Sequence, residues 1–259
     1  MPNQKPRTQV DVSDPLAPVR ISPVRVNGTS VMHKGIEIKN DEDRWQCINI
    51  HSPAYNLVSN QTVKQVTTEI LGNSGMTWQR VRDVWTGRYW ARLYISDAQV
   101  EAPNVGDVLS LGLRVENSYD GSCQFRLHLM GYVLSCKNGL MSTRHFTRYT
   151  MRHTMNNRFV REEVISLLKN GIGEVSALLP KISSLTRVPL SVKLISRVSR
   201  ELSLPRSEWG YITQELKDSK TAWDLMQIIT HRLSHHGRGK ASLTHSENVG
   251  EFFLERISA

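Results

Sequence analysis

Residues 107–117 read DVLSLGLRVEN, where Val108, Leu109, Leu111, Leu113 and Val115 alternate with small or polar residues and with Arg114. Alternation with a period of two describes a strand with one face buried and the other wet. Segments 76–84, 88–96 and 122–135 also read as strands, with turns supplied by Asp83 to Gly87 and Asn117 to Gly121. The Asp120-Gly121 pair between alternating runs is a hairpin cue. Four strands joined by short connections make an antiparallel meander. Its wet face offers Arg80, Arg82, Arg88, Arg92, Arg114 and Arg126 as candidates to line a groove.

Upstream, Val24 and Val26, Ile36 and Ile38, and Trp45, Cys47 and Ile48 suggest short strands. Breaks are expected at Asn27-Gly28, Lys34-Gly35 and Asn40-Asp41. Ser59 or Asn60 caps a helix over 61–71 with Val63, Val66, Ile70 and Leu71 on one face, ended by Gly72 and Gly75. Residues 1–24 hold Pro2, Pro6, Pro15, Pro18 and Pro23, a density that blocks helix and most central strands. They read as an extended or disordered arm, with packing on a neighbouring subunit as the alternative.

Beyond Asn138 the apolar spacing turns helical. Helices are expected over 143–154, 157–169, 173–186, 190–202, 207–218, 221–234 and 246–257. Ser207, Thr221 and Ser246 are candidate N-caps, and Gly171, Gly173, Pro189 and Pro205 mark breaks. The expected fold is α+β, in three parts. These are the arm (1–24), an antiparallel β-meander with a helix (25–142), and a helical bundle packed on it (143–259).

The chain carries a formal net charge of +9, and the stretch from Gly121 to Arg161 supplies most of it. Arg126, Lys137, Arg144, Arg148, Arg152, Arg158 and Arg161 fall there without a single Asp or Glu. Phe125, Tyr132, His145, Phe146, Tyr149, His153 and Phe159 are interleaved with them. Cations that track a phosphate backbone, beside rings on which bases stack, suit single-stranded nucleic acid. A helix over 143–154 would set Arg144, Arg148 and Arg152 at i, i+4 and i+8 in one stripe. Like charges at that spacing cost a few tenths of a kcal/mol per pair, a cost tolerable if the stripe meets phosphates. The plainer reading is a solvated face beside ordinary core aromatics.

Three cysteines (Cys47, Cys123 and Cys136) without CxxC spacing argue against a disulfide framework and suggest a reducing compartment. No run approaches the roughly 20 apolar residues of a membrane span. The expected location is the cytoplasm.

The run VENSYDGSCQFRLHLMGYVLSCKNGL, the segment RHTMNN and the helix TAWDLMQIITHRLSHH resemble the phage- and plasmid-borne family known as domain of unknown function 932. The family's Asn-Ser-x-Asp-Gly-Ser hairpin corresponds to Asn117 to Ser122, and its strand end to Val133 to Asn138. Its Arg-His-Thr segment corresponds to Arg152 to Thr154, and its Trp-bearing helix to Trp223, Thr230 and His235. One departure is Tyr119, where members often carry His. The resemblance implies work on DNA replication, recombination or defence in a mobile element. A sheet followed by helices is also similar in outline to phage and eukaryotic single-strand annealing proteins. Those form rings or filaments and hold a strand, bases exposed, in a basic groove.

Other chemistries fit less well. His231 and His235 share a helix face and His236 and His245 follow, resembling half a zinc site. Arg232, Arg238 and Lys240 surround them with positive charge, so no metal is expected. The glycines of NGIGE at 170–174 lack a P-loop lysine and a preceding strand, and read as a helix-to-helix break. Asp83, Asp97, Asp107 and Asp120 sit near predicted turns, so a metal-dependent nuclease is only a minor alternative. No cofactor and no catalytic residue is expected. The expectation is a non-enzymatic, homo-oligomeric single-stranded DNA-binding protein that promotes annealing or recombination. Its nucleic-acid contacts would be Arg126, Lys137, Arg144, Arg148, Arg152, His153, Arg158 and Arg161, with Phe146 or Tyr149 stacking on bases. The alternative is a regulatory or anti-defence protein that binds an acidic protein partner.

Overall fold

Asn27 and Gly28 both take left-handed backbone angles, with φ of 49° and 81°. A two-residue turn of that kind matches the twist of the strands it joins. It links β1 (Val19–Val26) to β2 (Thr29–Lys39), and β3 (Trp45–His51) completes a three-stranded antiparallel sheet in the order β1-β2-β3. The structure is a computed structural model that describes residues 10–101, 108–133, 138–140, 148–154, 160–235, 245 and 248–258. For residues 138–140, 161, 172, 218, 234 and 235 it describes the backbone alone.

Two expectations change in this sheet. Residues 19–24 belong to β1 and not to an arm, because Val19 and Ile21 pair with Ile38 and Ile36. Pro23 is tolerated because β1 is an edge strand and its register shifts between Pro23 and Val24. Nor does Lys34-Gly35 break β2. A Cβ on Gly35 would stand 2.7 Å from Ser22 Oγ, so this glycine admits a close neighbour within a continuous strand. Ile36, Ile38 and Ile48 form a small core with Val12, Tyr55 and Tyr119.

Ser59 Oγ accepts the Thr62 N–H at 3.0 Å and starts α1 (Asn60–Gly72), whose Val63, Ile70 and Leu71 are buried. The second sheet follows as β4 (Trp78–Trp85), β5 (Tyr89–Glu101), β6 (Val108–Ser118), β7 (Phe125–Val133) and β8 (Asn138–Leu140). These lie in sequence order, each antiparallel to the next, and β9 (Arg148–Met151) pairs with β7. The β6–β7 turn uses the Asn117 to Ser122 motif. Gly121 sits at φ 74°, Asp120 Oδ1 accepts the Ser122 N–H, and Ser118 Oγ exchanges hydrogen bonds with Cys123.

One face of this sheet carries Trp90, Tyr94, Leu109, Leu111, Leu113, Val115, Phe125, Leu127 and Leu129. α2 (Arg161–Ser176) lies against it, α3 (Leu179–Leu185), α4 (Val192–Leu202) and α5 (Arg206–Glu215) extend the same core, α6 (Ala222–His235) reaches β8, and a last segment ends in a π turn at Phe253–Ile257. The architecture is α+β, sheets first and helices after. The break expected at NGIGE does not occur, and α2 runs through it. A Cβ on Gly171 would lie 2.9 Å from both Leu111 methyls and 3.0 Å from a Leu129 methyl. That glycine brings helix and sheet close together; it does not end the helix.

The helix expected over 143–154 is overturned within the described residues, since Arg148–Met151 is strand β9. Tyr149 and Met151 pair with Leu127 and Phe125, so both join the apolar core in a strand. The stripe of arginines at helical spacing is lost with that helix. Ser207 falls inside α5, which starts after Pro205 with no side-chain cap. Ser191 does cap α4, accepting the Leu194 N–H at 3.2 Å. At the start of α6, Asp224 Oδ2 accepts the Lys220 and Thr221 N–H groups.

Candidate nucleic-acid interface

Residues directly opposite one another on neighbouring strands share a face. Arg82, Leu93, Arg114, His128 and Arg148 are successive partners on β4, β5, β6, β7 and β9. They therefore form one row across five strands, about 19 Å wide at the usual strand spacing. Ala91, Glu116, Arg126 and Thr150 form the next row. Both rows lie on the face opposite Leu113, Val115 and Leu127, which meet the helices. Glu116 is the one carboxylate among these nine residues.

This face was expected to be wet, and its centre is not. Arg114 and Glu116 side chains are 4% and 2% exposed. Arg82 and Tyr132, on β4 and β7, lie close enough to bear on each other's ionisation across this face. Exposure rises outward from the centre. Arg126 and Arg82 are half-buried and Arg148 is exposed.

Burying a charge is costly unless it is paired. Arg114 Nη2 donates to Glu116 Oε2 at 3.1 Å, and the Tyr89 hydroxyl donates to Glu116 Oε1. Burial alone would raise the Glu116 carboxyl. The Arg114 guanidinium, the Tyr89 hydrogen bond, and then His128 and Arg126 outweigh burial and hold it below the usual range. His128 Nε2 lies 3.6 Å from Glu116 Oε2. Burial first, then Arg114, with Arg126 and Arg148 adding, pushes His128 down to about 4 against the pull of Glu116. The imidazole is therefore neutral at pH 7. Glu116 offsets Arg114, which leaves Arg82, Arg126 and Arg148 as the excess positive charge in these rows.

Of the six arginines expected to line a groove, Arg82, Arg114 and Arg126 share this face. Arg92 faces the other way and holds Asp83 through Nε at 2.6 Å and Nη2 at 2.9 Å. Arg80 also meets Asp83, at 3.3 Å. Arg88 lies half-buried in the β4–β5 turn. Arg152 follows β9 and is exposed. Tyr149, expected to stack on bases, is a core residue. It is 9% exposed, packs edge-on against Phe125 at 6.3 Å and accepts the Val160 N–H at 3.1 Å. Lys137, Arg144, Phe146 and Arg158 lie outside the described residues, and Arg161 opens α2 with its side chain undescribed.

His153 takes part in a latch. Its Nδ1 is 3.0 Å from the Tyr55 hydroxyl, and the Tyr55 ring stacks on His51 at 3.8 Å. His51 Nε2 lies 2.7 Å from the Tyr119 carbonyl oxygen, and the Asn60 N–H donates to the Tyr119 hydroxyl at 2.8 Å. Asn117 Nδ2 donates to the Val58 carbonyl and to Asn60 Oδ1. A bridge between Tyr55 and Thr154 completes the joint. Burial, then His51, pushes His153 down to about 4. The hairpin motif and His153 thus tie the small sheet, α1 and the end of β9 together, next to Arg152.

Sequence reading missed Glu116, Tyr89 and His128. Their signal was present: a hairpin turning at Asn117 to Ser122 sets Arg114 opposite His128 and Glu116 opposite Arg126. Among the described residues no three His, Cys, Asp or Glu side chains gather as metal ligands. His236 and the His235 side chain lie outside the description. Among the described residues, no helix is long and apolar enough to cross a membrane.

Fold and site together define an α+β protein whose antiparallel sheet has helices on one face and a basic row on the other. The chain belongs to the family described as domain of unknown function (DUF932), whose model matches residues 48–251. No curated protein and no solved structure matches it.

Proposed function

We propose that this is a non-enzymatic single-stranded DNA-binding protein that promotes annealing and homologous recombination for a phage or plasmid. It works as a ring or filament in the bacterial cytoplasm. The observation that carries the reading is the row Arg82, Arg114, Arg148 with Arg126 beside it, four arginines to one carboxylate among the nine residues of the two rows. That row continues into the acid-free stretch from Gly121 to Arg161. Arg126, Arg148 and Arg152 hold phosphates, joined by Lys137, Arg144, Arg158 and Arg161. With Tyr149 committed to the core, Phe146 is the ring left for stacking. Neutralised phosphates supply sequence-independent affinity. Bases kept open to solvent then let a complementary strand pair, with no chemical step.

The test follows annealing of two complementary oligonucleotides, one carrying a fluorophore and the other a quencher, in EDTA without nucleotide. Acceleration that grows with protein concentration and fails in the Arg148→Glu, Arg152→Glu double variant supports the proposal. Annealing at the protein-free rate overturns it and turns attention to an acidic protein partner for the same basic face.

A further inference from the structure

α4 and α5 leave an open groove of about 550 Å³ between them. Ile195, Ser196, Ser199 and Arg200 form one wall, and Trp209 and Thr213 the other. Spacings of three and four set these residues on one face of each helix. Val192, 82% exposed, stands one turn before Ile195 at the open end of the α4 wall.

The rim of this groove is positive. Residues 192–215 hold four Lys or Arg against three Glu. Two of those carboxylates are taken up by arginines from elsewhere, Glu201 by Arg256 at 2.8 Å and Glu208 by Arg232 at 2.7 Å. Lys193, Arg200 and Arg206 are exposed and meet no carboxylate among the described residues. Apolar walls under a cationic rim suit an acidic segment that carries an apolar side chain.

This chain carries such a segment. Its one run of three acidic residues, Asp41-Glu42-Asp43, turns from β2 into β3. Asp41 accepts the Ser13 N–H and hydroxyl, and its own N–H donates to the Asp11 carbonyl at 3.2 Å. That tie brings Asp11 and Asp14 beside the turn, and all five acidic residues are exposed. Asp43 meets Lys39 at 2.6 Å and Glu42 meets Arg44, which leaves Asp11, Asp14 and Asp41 without a cation among the described residues. Trp45, 37% exposed, adjoins the patch.

The acidic turn stands by the small core of Ile36, Ile38 and Tyr119, and the groove lies over the large core that holds Leu194, Val198 and Ile212. A chain of net charge +9 repels its own copies except where opposite charges meet. We propose that the Asp41 to Asp43 turn of one copy docks in the α4–α5 groove of the next. Its carboxylates face Lys193, Arg200 and Arg206, and Trp45 faces Ile195 and Trp209. The two surfaces differ, so every copy offers one of each. Contacts of that head-to-tail kind propagate into a ring or filament and do not stop at a dimer. This deepens the oligomeric part of the proposed function and rests on that reading for its purpose.

The experiment is sedimentation velocity of the full chain without DNA, over a concentration series at low and at high salt. The wild type is expected to associate beyond a dimer at low salt and to dissociate as salt screens the contact. The groove variant Lys193→Glu, Arg200→Glu and the patch variant Asp11→Lys, Glu42→Lys are each expected to weaken association by about tenfold or more. All four side chains are exposed, so both variants keep their fold. The groove variant also lowers the net positive charge, so general repulsion does not account for its loss. Mixed together, the two variants set opposite charges across every contact and are expected to associate again. A wild type that stays monomeric at low salt, a groove variant that associates like the wild type, or a mixture that stays apart overturns the proposal. A groove variant that loses oligo-dT affinity beside a monomeric wild type overturns it too, and assigns the groove to nucleic acid. A monomer that still binds oligo-dT through Arg126 and Arg148 spares the nucleic-acid reading, whereas an oligomer that ignores oligo-dT overturns that reading and keeps this contact.

Discussion

Arg114 and Glu116 lie two residues apart on one strand, both nearly inaccessible, and meet at 3.1 Å on the face of the sheet opposite the helices. Each neutralises a charge that would otherwise be stranded out of water. Glu116→Gln removes the carboxylate that buried Arg114 meets, and is expected to cost about 3 kcal/mol or more. The double variant Arg114→Met, Glu116→Leu removes both charges and is expected to recover most of that loss. Urea unfolding of the three proteins measures it. A Glu116→Gln protein as stable as the wild type would contradict the pairing.

His128 makes stability depend on acid. Its folded-state value of about 4 lies below the unfolded value of 6.5, so the unfolded chain binds the extra proton between those limits. Stability is therefore fully present above about pH 6.5 and is lost as pH falls towards 4, by up to about 3 kcal/mol. His153, also held near 4, adds a loss of the same sign. Urea midpoints between pH 7 and pH 4.5 read the slope, and His128→Gln flattens it. A slope unaltered by His128→Gln would refute the assignment.

The two glycines of α2 separate packing from helix propensity. Nothing lies within 4 Å of a Cβ built on Gly173, so Gly173→Ala is expected to stabilise by up to about 1 kcal/mol. Gly171→Val pushes into Leu111 and Leu129 and is expected to cost about 2 kcal/mol. Thermal melts that ranked the two the other way would show that α2 sits off the sheet.

Legibility in the sequence followed periodicity. Strands β4 to β7 and α1 were visible because their apolar residues repeat at unambiguous spacing and their turns carry Gly, Asn or Asp. The stretch around β9 was misread for an arithmetic reason. Arginines four apart fall on one face of a helix, but four is also a multiple of two, so they fall on one face of a strand as well. The β-branched Thr150 lies within the strand, whose pleat suits it better than a helix. Gly171 was read as a stop because glycine ends helices, yet its use here is set by Leu111, sixty residues away in sequence. The buried centre of the basic face was hidden for a related cause. Alternation says which residues share a face, whereas the packing over that face decides whether it meets water.

Tyr149 and Phe146 are expected to behave oppositely. Tyr149→Phe loses the acceptor for the Val160 N–H and costs about 1 kcal/mol of stability, with no change in DNA affinity. Phe146→Ala is expected to weaken oligo-dT binding by about 1–3 kcal/mol. Melting temperature and binding titration on each variant separate the two roles. DNA binding lost in Tyr149→Phe at unchanged stability would return that ring to the interface.

The most direct measurement is the salt dependence of oligo-dT affinity, followed by fluorescence anisotropy for the wild type and for Arg126→Glu, Arg148→Glu. The wild type is expected to lose affinity linearly in log salt, with a slope of about −0.7 for each phosphate neutralised. The double variant is expected to bind more weakly and with a shallower slope by about 1.4, two phosphate contacts fewer. Affinity indifferent to salt, or a double variant with the wild-type slope, would contradict a phosphate-binding role for this face.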